Sequence, residues 1–118
     1  MRVEHLQALR ERYPLILERS SIDVGDGWFT LLDCLLEQLQ TRARSGLDPQ
    51  PVAEQIKEKY GELRVYLKVY SDAQDQLIEF AATLSCRTCD VCGSPGELLK
   101  NAGWLRTRCA EPEETRPE

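Results

Sequence analysis

Pro51-Val-Ala-Glu-Gln-Ile56-Lys-Glu-Lys-Tyr60-Gly61-Glu-Leu63-Arg-Val-Tyr-Leu-Lys-Val69 is the stretch whose reading decides the fold. Its second half is unambiguous. Leu63, Val65, Leu67 and Val69 alternate strictly with Arg64, Tyr66, Lys68 and Tyr70. Successive side chains of a strand point to opposite faces, so this pattern predicts a half-buried strand. A lone strand leaves backbone groups unpaired and needs a neighbour. The first half fits two templates. Val52, Ile56 and Tyr60 mark one helical stripe, with proline at the first position and glycine past the end. The same residues also fit alternate positions of a strand. A turn at Tyr60-Gly61-Glu62 favours an antiparallel hairpin, with helix-then-strand as the alternative.

The flanks read as helices. Val3, Leu6, Leu9 and Tyr13 recur at helical spacing over residues 2–13, and Pro14 stops or bends that helix. Leu15, Ile16 and Leu17 form a brief apolar run expected against the core. Asp26 is placed to cap a following helix. Trp28, Leu31, Leu32, Leu35, Leu36 and Leu39 give that helix a broad apolar stripe, and Cys34 within it reads as a small buried hydrophobe. Residues 41–50 read as a polar linker, with Gly46 and Pro49 marking the break. Ser71-Asp-Ala-Gln74 is a capping box opening a helix to about Leu84, with Ala73, Leu77, Ile78, Ala81 and Leu84 facing inward.

Cys86-Arg-Thr-Cys89-Asp-Val-Cys92-Gly93 follows, answered by Cys109. Two thiolates three residues apart in a tight turn can face one ion. Glycine after the second lets the backbone fold back towards the sulfurs. Between them, Glu97–Lys100 and Trp104–Thr107 flank Asn101-Ala-Gly103, a small hairpin that returns Cys109 to the knuckle. Cys89, Cys92 and Cys109 are therefore candidate ligands of a structural zinc, and Cys86 is the best candidate for the fourth. Glu111, Glu113 and His5 are weaker ones. A metal-free set of thiols and a redox pair at Cys89 and Cys92 are the competing readings. The strand–helix context of a thioredoxin-like pair is missing. The fold class is thus α+β: helices packed with a β-hairpin, plus a C-terminal zinc-ribbon or treble-clef-like unit. Residues 1–85 form the globular region and 86–110 the knuckle and hairpin. The acidic, proline-bearing tail 111–118 is expected to be disordered.

The chain has 118 residues, 42% hydrophobic and 30% charged, with a net charge of −5. That is the composition of a soluble globule of one domain. No apolar run approaches the ~18 residues of a membrane span, and the N-terminus has no apolar signal-like segment. The expected location is cytoplasmic, where clustered cysteines point to metal or redox chemistry rather than disulfides. An acidic whole argues against nucleic-acid binding by bulk charge. The cysteine region alone is basic, from Arg87, Lys100, Arg106 and Arg108 against Asp90 and Glu97.

Three segments carry a resemblance. Ile56-Lys-Glu-Lys-Tyr-Gly-Glu-Leu-Arg-Val-Tyr66, Leu84-Ser-Cys-Arg-Thr-Cys-Asp-Val-Cys-Gly-Ser-Pro-Gly96 and Gly103-Trp-Leu-Arg-Thr-Arg-Cys109 resemble a family of small uncharacterised proteins of bacteriophages, prophages and bacteria. Gly27-Trp28-Phe29 resembles the start of its conserved region. The likeness spans roughly residues 27–112 and brings no activity with it. It implies a hairpin for residues 51–66 and a Cys-x-x-His ending to the metal site. Here that ending is Cys109-Ala-Glu-Pro112, with proline at the histidine position, and Cys86 stands where the family commonly has no ligand.

No nucleophile–base arrangement, phosphate-binding loop or dinucleotide fingerprint appears. His5 is alone on its helix, and Asp23, Asp26 and Asp33 suit turn and cap chemistry better than magnesium binding. The chain is therefore expected to be a non-enzymatic interaction module. Trp104, Arg106 and Arg108 are the candidate binding residues, with the Arg64, Tyr66, Lys68 and Tyr70 face behind them. The expected partner is a protein, in the phage context a host defence or regulatory component. The alternative is a nucleic-acid-binding zinc-ribbon regulator. No membrane role is expected, and the oligomeric state is not legible.

Overall fold

A computed structural model describes residues 1–101 and 103–110 of the chain. The expected disorder of 111–118, and the candidate ligands Glu111 and Glu113, lie outside the described residues. The architecture is α+β. In chain order it comprises α1 (Val3–Arg12), α2 (Pro14–Leu17), β1 (Ser21–Asp23), a 3₁₀ turn (Asp26–Trp28) and α3 (Phe29–Arg44). Then come β2 (Ala53–Lys59), β3 (Glu62–Leu67), α4 (Asp72–Ser85), β4 (Glu97–Asn101) and β5 (Trp104–Arg108).

Pro51–Tyr60 resolves as a strand, not a helix. β2 and β3 pair antiparallel, with Lys59 opposite Glu62 across a two-residue turn. Both turn residues have positive φ, Tyr60 at 55° and Gly61 at 81°. That left-handed pair suits the right-handed twist of a tight hairpin. The register slips between Ala53 and Gln55, a bulge that brings both Ala53 and Ile56 into the core. Leu63, Val65 and Leu67 are buried as their alternation requires, but β3 ends there and Val69 is exposed.

A third strand carries no periodic signal. β1 pairs parallel to β2, Ile22 beside Ile56, giving the sheet order β1-β2-β3. Parallel neighbours need a long crossover, and α3 supplies it. α3 also runs five residues beyond Leu39, to Arg44, into the segment read as linker. Gln40 in its last turns is buried, and Arg42 pairs with Asp48 at 2.5 Å. The same Asp48 accepts a bond from the Ser71 hydroxyl, so the α3 exit is tied to the start of α4. The capping box at Ser71 and Gln74 is present in full.

Leu9 of α1, Tyr13 at its end, and Ile16 and Leu17 of α2 meet Trp28 of the 3₁₀ turn and Leu32, Leu35, Leu36 and Leu39 of α3. Ile56, Leu63 and Val65 close that core from the sheet. Several readings of outward and inward faces change. Cys34 is exposed, not buried, because it lines an open groove between α3 and α4. Val3, Leu15 and Leu84 are exposed as well. Asp26 makes no helix cap. Its carboxylate instead accepts the backbone N–H of Arg2 at 2.7 Å and meets His5 Nδ1 at 3.0 Å, pinning α1 to the turn before α3.

That turn also receives the cysteine loop. The Gly27 N–H donates to the Asp90 carbonyl at 3.0 Å, and the fully buried Trp28 donates its indole N–H to the Thr88 carbonyl at 2.8 Å. A Cβ on Gly27 would collide with the Cys89 carbonyl oxygen and lie 2.6 Å from the Asp90 carbonyl carbon. Gly27→Ala is therefore expected to lower unfolding stability by about 1–3 kcal/mol, the usual cost of overpacking. Urea unfolding of the two proteins measures this, and equal midpoints would show that the loop does not pack on Gly27.

Candidate metal centre

Cys89 follows the end of α4 by a short turn, and its loop is fixed by backbone bonds before any ligand is considered. The Cys89 N–H donates to the Ser94 carbonyl at 2.8 Å, and the Gly93 N–H donates to the Cys89 carbonyl at 3.0 Å. Gly93 has φ +80°, and its Cα side lies against Gly27, where a Cβ would meet the Gly27 carbonyl at 3.1 Å. Only a residue tolerant of positive φ turns the chain this tightly. The β4–β5 hairpin then returns Cys109, its register running from Glu97 opposite Arg108 to Asn101 opposite Trp104.

The result is a group of three donors. The sulfurs of Cys89, Cys92 and Cys109 all lie within 4.8 Å of one another, with Cys92 and Cys109 at 3.9 Å. Cys89 is wholly buried, Cys109 half-buried and Cys92 exposed. Burial opposes ionisation of Cys89. Backbone N–H groups of Cys92, Cys109 and Val91, and the Cys92 thiol, outweigh it and bring the Cys89 thiol down from 9.0 to about 7. Donors aimed at a sulfur favour its charged form, and thiolate is the form that binds metal. Spacing, convergence and a lowered thiol together fit this group to a metal ion.

The expected fourth cysteine is elsewhere. Cys86 caps the C-terminus of α4 and is not in the three-sulfur group. Burial and the charge of Glu62 push its thiol up, against lesser lowering effects of Ser85 and Arg64. The weaker candidate His5 is also outside the group. Its ring stacks on Phe29 with centroids 4.1 Å apart, and its Nδ1 faces Asp26.

The candidate binding residues are partly occupied with one another. Asp90 is buried, and its carboxylate accepts from Arg108 Nε at 2.6 Å and sits 3.4 Å from Arg106 Nε. The Arg106 guanidinium also lies over the Trp104 ring, 5.4 Å from its centroid. Trp104 itself is about half exposed. The two arginines thus brace the β4–β5 hairpin against the knuckle. Thr107 completes the bracing, donating its hydroxyl to the Gly61 carbonyl at 2.7 Å in a buried contact. Sequence reasoning weighed Asp90 only as a charge and gave Thr107 no role. The signal for Asp90 is an acid inside the knuckle facing an Arg-x-Arg strand.

Comparison with protein-family models, curated proteins and solved structures returns no match.

The Cys89 thiol has a pH consequence in the chelator-treated, reduced chain. A folded-state pKa below the unfolded one adds stability that is complete above the unfolded value near 9 and is lost as pH falls through about 7. Thermal unfolding should therefore show stability declining from pH 9 to pH 7. Cys89→Ala should flatten that decline, and an unchanged slope would mean the lowered thiol is not Cys89.

Proposed function

We propose that this chain is a small, non-catalytic protein-interaction module whose C-terminal third is stapled by a structural zinc. The observation that carries the reading is the convergence of Cys89, Cys92 and Cys109 within 4.8 Å. A thiolate-rich donor set favours zinc among the divalent ions available to proteins. Zinc in structural sites is four-coordinate, and the fourth place falls to a donor other than Cys86. Binding free energy at such a site is folding free energy. A β4–β5 hairpin with Leu98, Leu99 and Trp104 substantially exposed gains little from burial, so a metal is the natural means of closing it.

An interaction role is supported by what surrounds the site. The most basic strand, β5, has Arg106 and Arg108 turned onto Asp90. Asp90 takes up one of their two charges within the chain, which favours a protein over nucleic acid as partner. The resemblance to phage and prophage proteins points to a host protein. No helix among the described residues is long and apolar enough to cross a membrane.

Elemental analysis of freshly purified protein tests the metal. One zinc per chain is expected, retained in Cys86→Ser and lost or greatly weakened in Cys92→Ser and Cys109→Ser. Protein without metal would sink the zinc reading, and loss in Cys86→Ser would restore that residue as a ligand. Electrophoretic shift with DNA and RNA at low salt tests the rival. Salt-sensitive binding would favour the nucleic-acid reading, since phosphate contacts release counterions.

A further inference from the structure

Cys89, Cys92 and Cys109 share one cluster but not one exposure. Cys89 is wholly buried, Cys109 half-buried and Cys92 exposed. An oxidant arriving from solution therefore meets Cys92 first, because oxidation of a thiol follows its access. The Cys109 sulfur lies 3.9 Å from that of Cys92. A sulfur–sulfur bond is about 2.05 Å long, so small rotations of two side chains close the gap. Neither residue sits in a helix or strand: Cys92 is in the knuckle turn and Cys109 just beyond β5.

Cys89 is the rival partner, since all three sulfurs lie within 4.8 Å of one another. Its sulfur is held in place by the backbone N–H groups of Val91, Cys92 and Cys109. Bonding to Cys92 draws it off those donors, inside a turn where Gly27 already lies against the Cys89 carbonyl. Cys34 and Cys86 are outside the cluster. Access thus selects the first thiol, and freedom to move selects the second.

We propose that Cys92 is an oxidation site resolved by Cys109, so that a Cys92–Cys109 disulfide replaces the metal as the closure of the β4–β5 hairpin. The oxidant is a hydroperoxide. Its O–O bond breaks, one oxygen passes to the Cys92 sulfur as a sulfenic acid, and an alcohol, or water from hydrogen peroxide, leaves. The Cys109 sulfur then attacks the Cys92 sulfur. The S–S bond forms, the S–O bond breaks, and the hydroxyl leaves as water with the Cys109 proton. Two thiols lose two electrons and one hydroperoxide gains them. Two of the three sulfurs can then no longer be thiolate, the form that binds metal. The ion is released, yet the chain stays tied across the 17 positions that hold both strands. Disulfide formation rests on the cysteine cluster alone, and metal release rests in addition on the zinc reading.

Hydrogen peroxide added to the freshly purified chain tests it, read by mass spectrometry and by a chromophoric zinc indicator. Cleavage before Asp90 and after Arg108 puts Cys89, Cys92 and Cys109 on three different peptides. The expected product has lost two hydrogens and joins the Cys92 peptide to the Cys109 peptide. Cys34, Cys86 and Cys89 should remain open to alkylation after denaturation. Zinc should appear in step with the disulfide and return to the chain after dithiothreitol. Cys109→Ser should leave a Cys92 sulfenic acid that dimedone traps, while the mapping of the unaltered chain needs no variant to fold. A disulfide through Cys89, Cys34 or Cys86, or zinc release with no Cys92–Cys109 bond, would overturn the proposal. Elemental analysis before oxidation separates the two levels. A metal-free chain that forms the Cys92–Cys109 disulfide overturns the zinc reading alone, and a zinc-bearing chain that forms none overturns this proposal alone.

Discussion

The closest constraint in the molecule is the approach of two backbones, Gly25–Trp28 against Thr88–Gly93. A Cβ on Gly25 would strike the Asp90 carbonyl, and one on Gly27 would strike that of Cys89. Neither contact uses a side chain, so chemistry is available here only as hydrogen bonds and absence of bulk. Trp28 converts that approach into tertiary order. Its ring is buried among the leucines of α3 while its N–H reaches the loop. Backbone contacts thus seat the knuckle on the helical core. That seat fixes Cys89 and Cys92, and the β4–β5 hairpin returns Cys109 beside them.

The charged groups of the C-terminal unit serve the same end. Asp90 is the acid around which Arg106 and Arg108 organise, and it stands next to Cys89 in the chain. A buried carboxylate without cations would be costly. With two guanidiniums it locks the returning strand to the knuckle. Charge that looks like a binding surface in one dimension is therefore cement in three. Glu37 of α3 and Asp72, Asp75 and Glu79 of α4 have no comparable cation partner among the described residues.

Much of this was legible in residues 51–92. The alternation from Leu63 to Val69, the Ser71–Gln74 capping box and the Cys-x-x-Cys-Gly turn are local patterns, each with a local physical cause, and each appears where it was read except that the strand stops at Leu67. What escaped depends on partners distant in sequence. β1 is three residues long, too short for a period, and exists only because β2 lies beside it. Asp26 has the chemistry of a cap, yet α1 claims its carboxylate. Cys34 and Leu84 have apolar character but both line an opening between α3 and α4, a gap that no single helix pattern discloses. Cys86 has the right spacing and the wrong side of the chain end, beside Glu62 instead of its fellow thiols.

The separation between Trp28 and Thr88 also gives the molecule a history. The two residues are 60 apart in sequence. At translation rates of roughly 5–20 residues per second, the loop emerges several seconds after the surface that receives it. Local helices and the β2–β3 hairpin form in microseconds, so the receiving turn before α3 waits, its Trp28 lacking the Thr88 acceptor. The cysteine loop is thus a late addition to a preformed seat. Biosynthetic order favours closing the cysteine-bearing end onto structure already in place.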